Sequence, residues 1–371
     1  MKVLILTCST GEGHNSAAQA VRAALESRGA VCQIKDPVSF ASERMSQLTA
    51  ELYNNLIRYK PALFGAVYRL GNLYANSHLP SPVYWANSRY AGQLRRYIEE
   101  GGFDAVVCTH LYGMEAMTAI RRDPTFTVPC FGVMTDYVCI PFMDETRLTK
   151  FFTPSEANRQ DLISAGNPPA AVQVTGIPVD AAFSHPMDKA AARQLLGLAP
   201  DKKIFLVMTG GVGCENMEAL CQTLLGRMTD TDCMVVLTGR NEALRQRLDD
   251  RYAADGRVQT VAFTKQVAAY MAAADVVLTK SGGLSSAEAA AVQVPLVHIH
   301  AIPGCETYNA EFFSRHGMSC WAQDDAAAAD YARTLADDPV LAERMCRRQH
   351  KYGHPDAAER IAEEVIGYAA S

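Results

Sequence analysis

The stretch Thr279-Lys-Ser281-Gly282-Gly283-Leu-Ser285-Ser286-Ala-Glu288-Ala289 directly follows the apolar run Val276–Leu278. This order predicts a buried strand, a glycine turn and then a helix that begins with hydroxyl residues. The first N–H groups of such a helix favour an anion, and Glu288 near its first turn can accept both hydroxyls of a ribose. A capped helix with a structural glutamate is the plainer alternative. The stretch therefore predicts a strand–helix unit with a nucleotide site.

Similar apolar runs alternate with helical patterns along the whole chain. Candidate strands of a first sheet are Val3–Leu6, Ala105–Cys108, Pro129–Met134 and Lys150–Phe152. Candidate strands of a second are Val172–Thr175, Ile204–Met208, Met234–Leu237, Gln259–Ala262, Val276–Leu278 and Leu296–Ile299. Continuous apolar strands separated by helices indicate parallel sheets covered on both faces. We predict two doubly wound, Rossmann-like α/β domains facing each other across a cleft, with ligands beyond the C-terminal strand ends.

The chain length supports two domains, because 371 residues exceed what one hydrophobic core usually covers. The expected N-terminal domain spans residues 1–170 and the C-terminal domain spans 171–355. The two domains meet near Gly176–Pro178. A last helix, 356–371, is expected to pack back on the first domain.

Composition excludes several classes of protein. Apolar residues make up 49% and charged residues 20%, as in folded globular proteins. The net charge of −5 argues against general nucleic-acid binding. The eleven cysteines form no C-x-x-C pair, which favours reduced thiols over a disulfide framework or a zinc site. We find neither a signal peptide nor a run of about eighteen apolar residues, so a cytoplasmic protein is expected.

Three further motifs stand at strand–helix junctions. In Thr7–Ser16, Gly13 permits close backbone approach, and the helix start would keep His14 neutral and suited to general-base work; a capping histidine is the alternative. Met208–Gly213 is a candidate diphosphate cradle or a tight turn. Pro303–Asn309 places a carboxylate and an amide where they can share the hydroxyls of one sugar, or simply cap a helix.

The segment from about 38 to 98 breaks this alternation. It has nine aromatic residues between Tyr53 and Tyr97, and seven Lys/Arg against two Glu between residues 41 and 98. Aromatic and basic residues on amphipathic helices bind anionic membranes, at roughly 1 kcal/mol per basic residue. A partly buried core with a solvated basic face is the alternative.

Taken in order, these motifs resemble the family 28 glycosyltransferases. The resemblance covers nearly the whole chain: Gly11-Glu-Gly13-His14, Met134-Thr-Asp136, Val174-Thr-Gly176-Ile-Pro178, and then the two C-terminal motifs. The pattern is most similar to bacterial processive diacylglycerol glucosyltransferases and plant monogalactosyldiacylglycerol synthases. The lipid II-forming N-acetylglucosaminyltransferase is a more distant relative.

This resemblance implies the two-domain GT-B fold and transfer of a hexose from UDP-hexose with inversion. It implies no cofactor and no metal held by a D-x-D motif, so Asp230-Thr-Asp232 is interpreted as a surface loop. His14 would be the base, with Asp136 as the second candidate. The implied donor residues are Gly210, Gly211, Gly213, Arg240, Phe263, Val267, Ser281, Gly282, Gly283, Ser285, Glu288, Glu306 and Asn309. The implied acceptor and membrane residues are Gly13, Phe64, Tyr68, Trp85, Arg58, Arg69 and Arg89.

Two departures from the family pattern leave the substrates open. Cys305 stands where relatives usually have Gln, which leaves the donor sugar open. Tyr137–Phe142 replaces a segment that usually contains a His and a Trp, which leaves the acceptor open.

The resemblance thus implies a UDP-hexose:diacylglycerol transferase, which we expect at the inner face of the cell membrane. A polyprenyl-linked or soluble acceptor is an alternative, as is a UDP-N-acetylglucosamine 2-epimerase. The epimerase would have no use for the basic, aromatic segment. A sugar-nucleotide-binding module without catalysis is a further alternative. The presence of His14, Asp136, Glu288 and Glu306 together argues against it, because such a module needs no acceptor-side base.

Overall fold

The computed structural model describes residues 1–8, 12–42, 44, 46–47, 51, 61–75, 79–208 and 217–369. It divides the chain into two compact units. Unit 1 contains residues 1–180, 303–305 and 356–371, and unit 2 contains residues 181–302 and 306–355.

Each unit has one six-stranded sheet in which every pairing is parallel. The strands of unit 1 are β1 Lys2–Leu6, β2 Val31–Lys35, β3 Ala105–Cys108, β4 Cys130–Val133, β5 Lys150–Thr153 and β6 Val172–Val174. The strands of unit 2 are β7 Lys203–Met208, β8 Asp232–Gly239, β9 Val258–Ala262, β10 Val276–Thr279, β11 Leu296–His298 and β12 Cys320–Trp321. The α/β fold with two parallel sheets confirms the predicted fold class.

The helices lie between these strands. Those up to β6 are α1 Glu12–Glu26, α2 Pro61–Ala75, α3 Pro82–Ser88, α4 Ala91–Gly101, α5 Leu111–Ile120 and α6 Glu156–Ser164. Those that follow are α7 Ala181–Ser184, α8 Lys189–Leu196, α9 Met217–Leu225, α10 Glu242–Tyr252, α11 Val267–Ala273, α12 Gly283–Val292, α13 Cys305–Arg315, α14 Asp325–Asp337, α15 Pro339–Tyr352 and α16 Ala357–Ala369. Short 3₁₀ turns cover Pro37–Phe40, Met143–Glu145 and Pro169–Ala171.

The sheet of unit 1 has the strand order β2-β1-β3-β4-β5-β6. The chain therefore changes direction across the sheet between β1 and β3. In open α/β sheets ligands bind at such a switch point, beyond the carboxyl ends of the strands. The residues that follow β1 and β3 are Thr7–Cys8 and Thr109–His110, so this edge is where a site is expected.

The prediction that Val172–Thr175 starts the second sheet is wrong. Phe151 pairs with Val172 and Thr153 pairs with Val174, so β6 closes the first sheet. The run precedes the predicted junction too closely for the sequence pattern alone to assign it to one sheet.

The sheet of unit 2 has the order β12-β11-β10-β7-β8-β9, which numbered from its own first strand is 6-5-4-1-2-3. This is the doubly wound dinucleotide-binding order, and its switch point lies between β7 and β10. The two glycine motifs predicted from the sequence follow these two strands. The other nine predicted strands are confirmed in place; β2 and β12 were missed.

The last helix belongs to the core of unit 1. Ile361 and Val365 of α16 are fully buried with Val21 and Leu25 of α1. Lys150 of β5 also donates to Glu364 at 2.5 Å. Burial of these aliphatic side chains, about 1.5–3 kcal/mol each, holds α16 against the sheet.

Candidate active site

The imidazole of His14 lies at the switch point of unit 1. His14 is the third residue of α1, and Gly13 precedes it in the same first turn. The Nδ1 atom of His14 lies 3.0 Å from the Thr109 carbonyl oxygen, directly after β3. The Thr109 hydroxyl in turn donates to the His14 carbonyl oxygen at 3.1 Å. Paired strands β1 and β3 thus bring together residues 95 positions apart.

These contacts fix which nitrogen of His14 carries the proton. A carbonyl oxygen can only accept, so Nδ1 must carry the hydrogen. The Thr135 hydroxyl oxygen lies 2.9 Å from the same Nδ1 and can accept as well. The neutral tautomer therefore leaves the lone pair on Nε2, which is the atom that a general base needs.

The environment keeps this imidazole uncharged. Burial lowers the pKa of His14 below its usual 6.5, and the hydrogen bond to the Thr109 carbonyl opposes the shift in part. The direction follows because burial disfavours the charged form. His14 is therefore neutral near pH 7.

Asp136 lines the same narrow pocket as His14. The pocket is closed by Leu111 and Met114 of α5 and by Val138, Ile140 and Met143 after β4. Thr135 and Asp136 come directly after the strand end of β4. The structure thus brings the two candidate bases together in an apolar pocket, where an alcohol could place its hydroxyl.

Sequence reasoning missed Thr109 and His110. The ring of His110 lies edge-on to that of His14, with 4.6 Å between centroids. Both residues follow a strand end directly, which was the signal used for Thr7–Ser16 and could have found them.

In unit 2, the start of α12 lies at the C-terminal end of β10. Its N-cap is Gly282, which has no side chain to satisfy the first N–H groups of the helix. Gly283 and Ser285 lie in the first turn, and half-buried Glu288 lies on the second. This end of the helix therefore presents N–H groups that suit a phosphate.

Several predicted donor residues hold the protein itself together. The Ser281 hydroxyl donates to the Glu306 carbonyl oxygen at 2.7 Å, and the Asn309 amide donates to the Ser281 carbonyl oxygen at 3.0 Å. Ser281 and Asn309 are both fully buried. Their side chains tie the loop after β10 to the start of α13.

The Glu306 carboxylate is also held from two sides. One oxygen lies 3.5 Å from the Lys280 Nζ, and the other accepts from the Ile302 N–H at 2.9 Å. Lys280 is buried, and the sequence analysis did not select it, although it lies within residues 279–289. Lys280 thus supplies a paired cation two residues before Gly282, the N-cap of α12.

Arg240 and Phe263 meet beyond β8 and β9. The Arg240 guanidinium lies 5.0 Å above the exposed Phe263 ring, and Val267 begins α11 close by in sequence. A flat cation on an aromatic ring is a surface on which a base can stack. Gly210, Gly211 and Gly213 lie outside the described residues.

The predicted acceptor and membrane residues lie mostly on α2 and α3. Trp85 is 56% exposed, Arg69 and Arg89 are exposed, and Tyr68 is half-buried. Leu70 and Leu79 are 65% and 63% exposed. Phe64 lies within α2, and Arg58 lies outside the described residues. This stretch therefore presents large apolar groups together with basic ones.

Asp230-Thr-Asp232 lies between α9 and β8, but it is not simply a surface loop. Asp232 is fully buried, accepts from Arg333 at 2.8 Å and starts β8. The ten described cysteines are free thiols, and Cys214 lies outside the described residues. Among the described helices, none combines the length and apolarity needed to cross a bilayer.

Two family profiles match this chain. Residues 14–179 match the profile described as monogalactosyldiacylglycerol synthase. Residues 149–366 match the profile described as UDP-N-acetylglucosamine 2-epimerase. Along nearly its whole length the chain is 25% identical to a processive diacylglycerol β-glucosyltransferase of Bacillus pumilus, covering 98% of this chain and 94% of the relative.

By these matches the chain is similar to the family 28 glycosyltransferases, which have the GT-B fold. The match over residues 149–366, more than half of the chain, places that part in the epimerase-type domain family as well. A second relative, the processive diacylglycerol β-glucosyltransferase of Bacillus licheniformis, is 27% identical over 98% of this chain and 94% of its own.

Solved structures agree on the fold. MurG of Acinetobacter baumannii superposes with a TM-score of 0.66 at 15% identity, covering 99% of both chains. The UDP-N-acetylglucosamine 2-epimerase of Neisseria meningitidis, solved with UDP-N-acetylglucosamine, superposes with a TM-score of 0.64 at 16% identity, covering 99% of this chain and 100% of the other. The chain therefore shares its fold with both solved structures.

Proposed function

We propose that this glycosyltransferase transfers a hexose from a UDP-sugar to diacylglycerol and forms a β-glycosyl-diacylglycerol. The observation that carries the proposal is His14, whose Nδ1–H is held by the Thr109 carbonyl while its Nε2 is left for an acceptor. Full-length similarity to processive diacylglycerol β-glucosyltransferases supports the choice of acceptor.

The proposed reaction is a single displacement. The Nε2 of His14 removes the proton from the acceptor hydroxyl as that oxygen attacks the anomeric carbon of the sugar. The bond from the anomeric carbon to the diphosphate oxygen breaks, and UDP departs with the bonding electron pair. Because attack occurs opposite the leaving group, the configuration inverts. Asp136 lines the same pocket and is the alternative base or an orienting partner.

The donor side would bind UDP mainly through backbone N–H groups and charged side chains. The N–H groups at the start of α12 and the Lys280 ammonium would stabilise the departing diphosphate without a metal ion. Glu288 would accept the ribose hydroxyls, and Arg240 with Phe263 would border the uracil. Glu306 and Asn309 would lie beside the sugar.

The acceptor would come from an anionic membrane at the cytoplasmic face. Exposed Leu70, Leu79 and Trp85 can enter the lipid interface, while Arg69 and Arg89 attract acidic headgroups. Peripheral binding of this kind would bring diacylglycerol to a protein whose substrate stays in the bilayer.

The first test is a donor and acceptor panel. The purified protein is incubated with UDP-glucose, UDP-galactose or UDP-N-acetylglucosamine, with and without diacylglycerol in anionic vesicles. UDP release and lipid products are measured. We expect UDP release that needs one donor and the diacylglycerol vesicles together. Binding of UDP without consumption of any donor would refute the lipid acceptor and point to polyprenyl-linked or soluble acceptors.

An epimerase is the second candidate, because residues 149–366 match that profile. It would convert UDP-N-acetylglucosamine to its 2-epimer in the absence of vesicles and acceptor. The same panel, read by NMR of the sugar nucleotide, separates the two functions.

A further inference from the structure

The loop after β3 contains a second histidine that the proposed reaction does not use. His110 is the N-cap of α5, and its Nδ1 accepts the Tyr112 N–H at 3.2 Å. An N–H donor requires an unprotonated acceptor, so the proton of the neutral ring is on Nε2. His110 is thus held in the opposite tautomer to His14.

The two imidazoles are packed as a perpendicular pair. Their centroids are 4.6 Å apart at an interplanar angle of 83°. The Tyr112 ring also packs against His110, with centroids 4.5 Å apart at an interplanar angle of 74°. His110 is only 9% exposed, so its ring occupies a buried position beside His14.

The geometry points to His110 as a positioning residue that holds the His14 ring in place with Nε2 toward the pocket and keeps that ring uncharged. Thr109 and Thr135 contact only the Nδ1 atom of His14. The ring could therefore still rotate unless another group packs against it. The His110 ring, with its centroid 4.6 Å from that of His14, is the group that packs there. This role deepens the proposed function. It rests on that function in one respect, namely that His14 is the base.

Charge supports the same assignment. Burial, and then repulsion from His14, lower the pKa of His110 well below 6.5. Two buried rings this close cannot both be protonated to the positively charged imidazolium form. Among the described residues, titratable groups near the pair include Asp136 in the pocket and Tyr112, which has Cys8, Asp36 and Glu115 around it.

Two substitutions separate the cap of His110 from its ring. His110→Asn keeps a good N-cap for α5 but removes the ring. His110→Phe keeps a ring against His14 but removes the cap. If His110 acts only as the N-cap of α5, His110→Phe should be the more harmful change. If its ring positions His14, His110→Asn should be the more harmful change.

The experiment is an NMR titration of the His14 ring in the free protein, which reports both its pKa and its tautomer without any substrate. We expect wild type and His110→Phe to titrate below 6.5 in the Nδ1–H form. We expect the midpoint of His110→Asn to rise by about half a unit or more as water enters. Hexosyl transfer by His110→Asn should fall about tenfold, with the KM for donor unchanged.

Unchanged His14 titration in His110→Asn would overturn the assignment, as would an equal shift in His110→Phe. His298→Asn is the matched control, because His298 is a fully buried histidine of unit 2, bonded to Ser286 and Ser319. It should leave the His14 midpoint in place. A shifted midpoint in a protein that transfers no hexose would uphold His110 and refute the proposed function.

Discussion

The ligand edges of the two sheets use their polar side chains in opposite ways. After β1, β3 and β4, the protein fixes one end of His14 with Thr109 and Thr135 and leaves the other end available. After β10, the side chains of Ser281 and Asn309 make hydrogen bonds within the protein that hold the loop to α13. In the proposed reaction, the first edge would present a side chain for chemistry, and the second would present backbone N–H groups for binding.

This difference matches what each half of a transfer reaction requires. Proton removal needs one titratable atom at a defined position. A diphosphate needs several N–H donors and a positive field, which a helix start supplies. A motif residue at such an edge can therefore serve to hold a loop in place without touching a ligand.

The largest effect should come from His14→Ala. We expect kcat for hexosyl transfer to fall about 10²- to 10⁴-fold, the usual contribution of a general base. The Kd for UDP, measured by calorimetry, should stay within about twofold of wild type, since the base belongs to the other unit. Near-normal kcat in this variant would move the base to Asp136, with Asp136→Asn as the comparison.

Glu288→Ala should act on binding. A carboxylate that accepts ribose hydroxyls contributes about 1.5–3 kcal/mol, so the Kd for UDP should rise about 10- to 100-fold. The Kd for uracil should change little. If UDP and 2′,3′-dideoxy-UDP bind wild type equally well, Glu288 has no ribose role.

Ser281→Ala tests the structural half of the comparison. Loss of the buried Ser281 hydroxyl leaves the Glu306 carbonyl oxygen without this donor, at a cost of about 1–3 kcal/mol in the free energy of unfolding. Denaturant titration measures this change. Ser285→Ala, in the first turn of α12, is the matched control and should lower stability less. A variant that keeps full stability but loses UDP affinity would make Ser281 a phosphate ligand instead.

Stability should also fall in mild acid through the buried histidine of unit 2. Burial lowers the pKa of His298 to about 3, below its unfolded value near 6.5. The unfolded chain therefore binds the proton first, and stability is lost as pH falls from about 6.5 toward 3. The slope from this one group approaches about 1.4 kcal/mol per pH unit. His298→Asn should flatten the unfolding free energy over this range relative to wild type; an equal slope in both would contradict the assignment.

Thr135→Val should give the smallest effect. The valine keeps the shape but removes the oxygen 2.9 Å from Nδ1 of His14, while the Thr109 carbonyl still holds the proton. We expect kcat to fall about 3- to 10-fold, as for one modest hydrogen bond. A loss as large as that in His14→Ala would show that Thr135 takes part in chemistry.

The sequence predicted the fold class and most strands because buried parallel strands read as continuous apolar runs. β2 was missed because Val31–Lys35 is a half-exposed edge strand that contains both apolar and polar residues, and not a continuous apolar run. β12 has only two residues. Val172–Val174 was assigned to the wrong sheet because strand pairing is a long-range property.

The site was predictable only where residues follow one another in sequence. His14 and Asp136 were found from motifs, and their roles stay predictions. The partners of His14 could not be found, because Thr109 lies 95 positions away and is brought close by the pairing of β1 with β3. Equally, no sequence pattern distinguishes a serine that binds phosphate from Ser281, whose hydroxyl is used within the fold.

The most direct test of the central claim is the structure of the product. Glycolipid formed from a UDP-α-hexose and diacylglycerol vesicles is isolated, and the coupling of its anomeric proton is measured by NMR. A single displacement with His14 as base predicts the β-anomer, formed by wild type and lost in His14→Ala. An α-linked product, or β-linked product formed equally well by His14→Ala, would contradict this account.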